Sequence, residues 1–341
     1  MNNARKVRGL ITTYGNAEMA WHEITHEDKA AALTHAQREI EFIGQHGIAT
    51  YYYKESNYPA RLKECNDAPV LLFGKGNLQV NEGKYVSIVG TRSATERGKE
   101  QTRRLVLDLA ERVPNVTIVS GLAYGIDVAA HRAALEAGIP TIIVPAHGLD
   151  RIYPALHRPV AIAALDNGGI LTEYPSGTEP ERLNFVARNR IVAGLADAVV
   201  VVESKIKGGA LITAYLAGDY NRNLYAFPGR PTDVSTQGCN ALIKSHRAQL
   251  IENADDLIQD MQWATKHTAV QAELPDLFSD MDDLEKRLFQ LIGSSEDGKH
   301  VNELVEETGE GYNQVASTLM MLEMNGYIKQ IPGDIYVSTK V

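Results

Sequence analysis

The chain is poor in several things that would have narrowed its function at once. Only two cysteines, Cys65 and Cys239, occur in 341 residues. They lie far apart, which fits free thiols in a reducing compartment and excludes a disulfide framework. No apolar run approaches the ~20 residues of a membrane span. The first residues, MNNARKVRGL, lack the apolar stretch of a secretory signal, so a cytoplasmic protein is expected. Positive charge is not in excess either. The net charge is −9 with histidine neutral, which excludes a surface basic all over but leaves room for a local basic groove. Two nucleotide devices are also missing. G-x-G-x-x-G is absent after the first apolar strand, where Gly90-Thr91-Arg92-Ser93-Ala94-Thr95 stands, and Lys207-Gly208-Gly209 is in the wrong order for a P-loop.

What is present divides the chain into zones. Residues 1–48 read as a helical region, with Thr25 as the cap of a helix running to about Gln45 and Gly47 as its stop. Tyr51-Tyr52-Tyr53 is a strand candidate, followed by turns at Tyr58-Pro59 and Asp67-Ala68-Pro69. Within residues 49–255, β-branched runs alternate with helical patterns. The runs are 85–89, 116–119, 141–144, 169–172, 198–202 and 224–227; the helices include 98–112, 127–137 and 210–220. Nearly continuous apolar strands are buried on both faces, and the alternation argues an α/β class with an extended Rossmann-like open parallel sheet. Residues 256–280 read as a polar, acidic linker. Residues 281–341 read as three helices and a hairpin, a winged helix.

Ligands of such a sheet sit beyond the carboxyl ends of its strands. The turns expected there are Gly90-Thr91-Arg92; Ser120-Gly121-Leu122-Ala123-Tyr124-Gly125-Ile126-Asp127; Glu173-Tyr174-Pro175; Glu203 through Lys207-Gly208-Gly209; and Pro228-Gly229-Arg230. Any one glycine is explained by a tight turn. Several glycine and cation turns on one sheet edge suggest a phosphate ligand, with backbone N–H groups and helix N-termini as donors. A second signal is Arg182-Leu183-Asn184-Phe185-Val186-Ala187-Arg188-Asn189-Arg190. Residues 182–231 carry seven bases against three acids on an otherwise acidic molecule. Cations that track a backbone and a ring that stacks on a base are the means of holding a single strand. The alternative for Phe185 is a place in the core, and for some of the arginines, pairing with acidic neighbours.

Three other motifs carry less. His22-Glu23-Ile24-Thr25-His26 matches H-E-x-x-H, but Thr25 as a helix cap leaves His22 outside that helix, so no metal is expected. Asn115-Val116-Thr117 matches a glycosylation sequon, irrelevant without a secretory signal. Asp127 and His131, at i and i+4, could form an acid/base pair. No nucleophile stands beside them, and the reading preferred is that Asp127 orders the glycine turn while His131 bonds to it. The winged helix carries 11 acids against five bases, and its third helix, 312–325, has no Lys or Arg. Duplex binding needs phosphate neutralisation, so that module reads as a protein contact.

The order of these segments resembles the DNA-processing protein A (DprA/Smf) family. It is carried by Tyr58-Pro59, Ile88 through Arg92, Ser120 through Asp127 with Ala130-His131, Asp150-Arg151-Ile152-Tyr153-Pro154, Glu173-Tyr174-Pro175, Arg188 through Leu195, Gly208 through Ala214, and Gly238 through Ile243. The resemblance implies a non-enzymatic, cofactor-free homodimer. Such a protein binds single-stranded DNA, protects it as it enters during transformation and helps load the RecA recombinase. It also implies DNA contacts at Arg92, Arg182 and Phe185. The chain departs from the family pattern at Val186, where proline is usual, and at Gly209-Ala210, where a serine usually separates two glycines. The candidate DNA-binding set is Gly90, Thr91, Arg92, Ser120, Gly121, Ala123, Gly125, Asp127, Arg182, Phe185, Arg188, Asn189, Arg190, Lys207, Gly208, Gly209 and Arg230. The rival class is a Rossmann-like hydrolase of nucleoside monophosphates. It would need a P-G-G-x-G-T turn with a nearby glutamate, whereas Lys207-Gly208-Gly209-Ala210-Leu211 lacks the leading proline and third glycine.

Overall fold

A computed structural model describes residues 4–23, 29–264, 282–295 and 298–339. The chain forms two compact units, Met1–His267 and Thr268–Val341. The first unit opens with helices α1 (Ala4–Tyr14), α2 (Ala17–Glu23) and α3 (Lys29–His46). Gly47 follows α3 with a φ of +60°, as expected of a helix stop; the proposed cap at Thr25 and the histidine at 26 lie outside the described residues.

A nine-stranded sheet makes the body of this unit. Its strands are β1 (Ala49–Tyr52), β2 (Leu71–Lys75), β3 (Lys84–Val89), β4 (Val116–Ser120), β5 (Thr141–Ile143), β6 (Gly168–Thr172), β7 (Ala198–Val201), β8 (Asn223–Ala226) and β9 (Gln249–Leu250). Their spatial order is β1-β2-β6-β5-β4-β3-β7-β8-β9. The six β-branched runs are the six strands at its centre, β3 to β8, paired in parallel with Val86 beside Ile118 and Ile88 beside Val200. Every residue of β4, β5, β6 and β7 is buried, as strands covered on both faces require. The expected open parallel sheet is present, and it is extended at one edge by two antiparallel pairings. There β2 runs antiparallel to both β6 and β1.

Helices α4 (Ala60–Lys63), α5 (Glu96–Arg112), α6 (Ile126–Glu136), α7 (Arg158–Ala163), α8 (Arg182–Gly194), α9 (Ala210–Asp219), α10 (Gln237–Lys244) and α11 (Ala254–Asp260) complete the unit. Two apolar clusters cover the two sheet faces: Tyr85, Val199, Leu195 and Ala214 belong to one, Ile88, Leu105, Ile118 and Ile126 to the other. The linker expected at 256–280 is corrected at its start, because α11 buries Leu257 and Ile258 in the second of these clusters; residues 265–280 lie outside the described residues.

The second unit has α12 (Asp283–Gly293), β10 (Lys299–His300), α13 (Val301–Thr308), α14 (Tyr312–Met324), β11 (Ile328–Ile331) and β12 (Ile335–Ser338). This is the expected three helices and hairpin, with β10 added beside β12. Asp282 accepts from the N–H groups of Leu284 and Glu285 while Glu285 reaches back to Asp282, a reciprocal cap of the kind that stabilises a helix by about 1 kcal/mol. Leu288, Ile292, Leu304, Val315, Leu319 and Leu322 form its core. No helix among the described residues is long and apolar enough to cross a membrane.

Candidate nucleic-acid interface

The chain runs outward from β3 through β4, β5 and β6, then returns to place β7 on the other side of β3. Connections therefore diverge beside β3, and such a reversal opens a crevice at the carboxyl ends of the strands. A cleft of about 1000 Å³ lies there. Its walls are the turns after β3, β4 and β7 together with the first half of α8 and the start of α9.

Backbone bonds lock these turns to each other. Thr91 donates its N–H to the carbonyl of Glu203 (2.8 Å) and accepts from the N–H of Ile126 (3.4 Å), so one residue after β3 joins the ends of β7 and the start of α6. Glu203 is 3% exposed. Its carboxylate takes the N–H of Thr95 (2.9 Å) and the Thr95 hydroxyl at the N-terminus of α5, where the helix dipole favours a negative charge. Gly125 turns with a φ of +78°, and a Cβ there would stand 2.2 Å from the Thr91 carbonyl oxygen. Only glycine allows that approach.

The cleft has a basic lining. Arg92, Arg182, Lys205 and Lys207 are exposed on it, and none forms an ion pair among the described residues. Arg182 and Lys205 flank helix starts where the macrodipole already favours an anion: α8 opens at Arg182 and α9 at Ala210, neither with a side-chain cap. Phe185 sits on the wall between the cations, half-buried and outside the apolar clusters of the core. The guanidinium of Arg92 lies 5.0 Å from its ring centre, that of Arg188 5.9 Å, and the ring of Tyr153 meets it edge-on at 5.9 Å. The alternative of a core phenylalanine is thereby excluded.

Arg188 reaches the floor of the cleft but is only 3% exposed. It donates to the carbonyl of Gly121 (2.7 Å) and to that of Val144, tying β4 to β5. A Cβ on Gly121 would meet its guanidinium at 2.3 Å. Asp127 is buried opposite. Burial pushes its carboxyl above the usual range, while Arg188 and the N–H groups of Ala123 and Gly121 hold it down. So Asp127 orders the glycine turn, as expected, and Arg188 supplies a fixed positive charge beneath it.

Thirteen of the proposed site residues line this cleft: Gly90, Thr91, Arg92, Gly121, Ala123, Asp127, Arg182, Phe185, Arg188, Asn189, Lys207, Gly208 and Gly209. Four do not. Ser120 is buried and donates to the carbonyl of Ile88 (2.6 Å), bridging β4 to β3. Gly125 lies behind the loop of Arg92 and lines a separate niche. Arg230 stands after β8, outside the cleft lining. Arg190 is 5% exposed and paired with Glu173, a contact that binds α8 to the end of β6. The lining that sequence reasoning missed includes Lys205, Ile206, Thr213 and Tyr215. Lys205 and Ile206 lie in the turn after β7 and Thr213 in the segment 208–214, so their positions were legible without a role; Tyr215 carries no such signal.

His131 is corrected too. It does not meet Asp127; its Nδ1 donates to the Thr141 hydroxyl (2.7 Å), which donates in turn to the Ile118 carbonyl. Burial lowers its pKa to about 3, so it is neutral at ordinary pH and no strong base. Glu203, the glutamate nearest the Gly208-Gly209 turn, is committed to capping α5, so the hydrolase reading lacks its free acid.

Comparison with known proteins identifies the family. Residues 49–262 match the family described as DNA recombination-mediator protein A, and residues 267–334 match the DprA winged helix domain. The chain is 34% identical to Protein Smf of Synechocystis over 371 residues, covering 98% of this chain and 91% of that one. It is 39% identical to DNA processing protein DprA of Streptococcus pneumoniae over 206 residues, 60% of this chain and 72% of the other. Among solved structures it is similar to DNA processing protein A of Helicobacter pylori, whose single-stranded DNA binding mode was determined. The TM-score is 0.57 at 32% identity, over 63% of this chain and 95% of that one. With its parallel sheet, its basic cleft at the strand reversal and its C-terminal winged helix, the chain belongs to the DNA-processing protein A (DprA/Smf) family.

Proposed function

We propose that this protein is a recombination mediator that holds single-stranded DNA in the cleft between α8, α9 and the ends of β3, β4 and β7. The observation that carries the reading is Phe185. Its ring stands half-buried on the cleft wall with the guanidinium of Arg92 over it, and Arg182, Lys205 and Lys207 line the same cleft. Exposed cations meet successive phosphates, the ring stacks on an unpaired base, and the buried Arg188 raises the potential of the floor without spending its hydrogen bonds on the ligand. A duplex keeps its bases stacked on each other and gives the ring nothing to hold. Kinship with the Helicobacter pylori protein supports the same substrate class.

On family grounds the reading extends to a homodimer that protects incoming single strands and helps load RecA, without chemistry of its own. The acidic winged helix supports a protein partner there rather than DNA. The test is fluorescence anisotropy with single-stranded and duplex oligonucleotides of equal length across a salt series. Tighter single-strand binding is expected, and equal or tighter duplex binding would refute the reading. Incubation with nucleoside monophosphates is expected to release no base.

A further inference from the structure

The basic surface does not end at Arg92. On the other side of that residue a second niche of about 300 Å³ opens, lined by Arg92, Ser93, Lys99, Tyr124, Arg132 and Leu156 among others. Among the described residues, no Asp or Glu lines it. Arg92 and Arg132 are exposed and form no ion pair among the described residues, while Lys99 is paired with Glu96 at 2.7 Å. Two cations are thus free at the niche.

The niche also has a platform. Tyr124 is 45% exposed, and one edge of its ring is held by the ring of His157 at 4.9 Å. His157 is itself 2% exposed, and its Nδ1 donates to the Leu122 carbonyl at 2.8 Å. A fixed, buried ring therefore steadies an open one. The platform is continuous with the main cleft, because the segment from Tyr153 to His157 touches both. Tyr153, also 45% exposed, packs against Phe185, and four residues on His157 packs against Tyr124. Phe185, Tyr153 and Tyr124 are thus partly exposed rings tied together by the one segment 153–157, with Arg92 lining both cavities.

We propose that this niche is a second nucleotide subsite. A single strand leaving the main cleft passes Arg92, lays a base on Tyr124 and places a phosphate between Arg92 and Arg132. Base–aromatic stacking is indifferent to base identity, so the subsite lengthens the bound segment without adding sequence preference. The inference rests on the single-strand reading of the main cleft.

The experiment uses the full chain and oligo-dT carrying one 5-iodouracil at successive positions, irradiated and mapped by peptide mass. One position is expected to cross-link to Phe185 or Tyr153 and a neighbouring one to Tyr124. In anisotropy, Tyr124→Ala is expected to weaken binding about tenfold at unchanged salt slope, the worth of one stacked base, with Tyr124→Phe equal to wild type. Arg132→Gln is expected to flatten the slope of log K against log salt by about 0.7, with Arg132→Lys restoring it. Cross-linking at Phe185 but never at Tyr124, with Tyr124→Ala binding as wild type does, would overturn the subsite and leave the main cleft standing. Absence of cross-links at Phe185 and Tyr153 as well would remove both. Thymidine monophosphate bound through Tyr124 with no effect of that residue on oligonucleotide affinity would make the niche a free-nucleotide site and overturn the proposal.

Discussion

Replacing Phe185 by alanine removes a ring and no charge, whereas replacing Arg92 removes a charge beside the same ring, and the two losses differ in kind. The Phe185 ring is half-buried, outside the apolar core, and its ring partners are Tyr153 at 5.9 Å, Arg92 at 5.0 Å and Arg188 at 5.9 Å. One aromatic contact, an exposed cation–π contact to Arg92 and one to the buried Arg188 amount to about 2–4 kcal/mol of folding stability, short of the ~5–15 kcal/mol that holds a domain folded. The variant is therefore expected to fold. Its single-strand affinity is expected to fall by roughly 1–3 kcal/mol, one stacked base, with the salt dependence unaltered because no phosphate contact is lost. Arg92→Ala or Arg182→Ala is expected to weaken binding and also to flatten the slope of log K against log salt by about 0.7 for each phosphate contact removed. Anisotropy of a labelled dT oligonucleotide at five salt concentrations reads both quantities, and circular dichroism checks the fold. An unfolded Phe185→Ala would mean the ring is structural. A flattened slope in that variant, or an Arg92→Ala protein with affinity and slope intact, would put the phosphate path elsewhere.

Three further outcomes are expected. Deleting residues 281–341 leaves oligonucleotide affinity nearly unchanged, since that segment carries 11 acids against five bases; a large loss would move the DNA site to the winged helix. Glu173→Ala strands the 5%-exposed Arg190 without its carboxylate and costs about 3–5 kcal/mol in urea unfolding, with a near-neutral result refuting the structural role given to this pair. His131, lowered to about 3 by burial from an ordinary value of 6.5, binds its proton more readily in the unfolded chain. Its contribution to stability is full above about pH 6.5 and is lost as pH falls toward 3, on the order of a few kcal/mol at the acid end, so His131→Gln should flatten the acid limb of the urea midpoint. An identical limb in the variant would sink that assignment.

The six central strands were legible because a strand buried on both faces must be apolar at nearly every position, and runs such as Ala198–Val201 have no other reading. The turn sites were legible because glycine and cations follow those strands. Only six strands carried such a signal. Leu71–Lys75 follows two turns and is paired solely through distant partners, Tyr52 through Ala49 on one side and Thr172 through Ile170 on the other, so its antiparallel place at the sheet edge was not in its own residues. The arginines of α8 show the same limit more sharply. Arg182, Arg188 and Arg190 are one residue type within nine positions of the chain. At about 100° per residue Arg182 and Arg188 each lie some 60° from Phe185, whereas Arg190 is turned about 140° from it, away from the cleft and toward Glu173. Arg188 does face the cleft, yet its long side chain is drawn under it by the carbonyls of Gly121 and Val144. Sequence by itself determined the six central strands, the strand-end turns and the concentration of positive charge, because these depend on local pattern. Which cations stay free for a phosphate and which are consumed in holding the fold depends on the acceptors that distant strands bring within hydrogen-bond reach, and only the tertiary structure decided that.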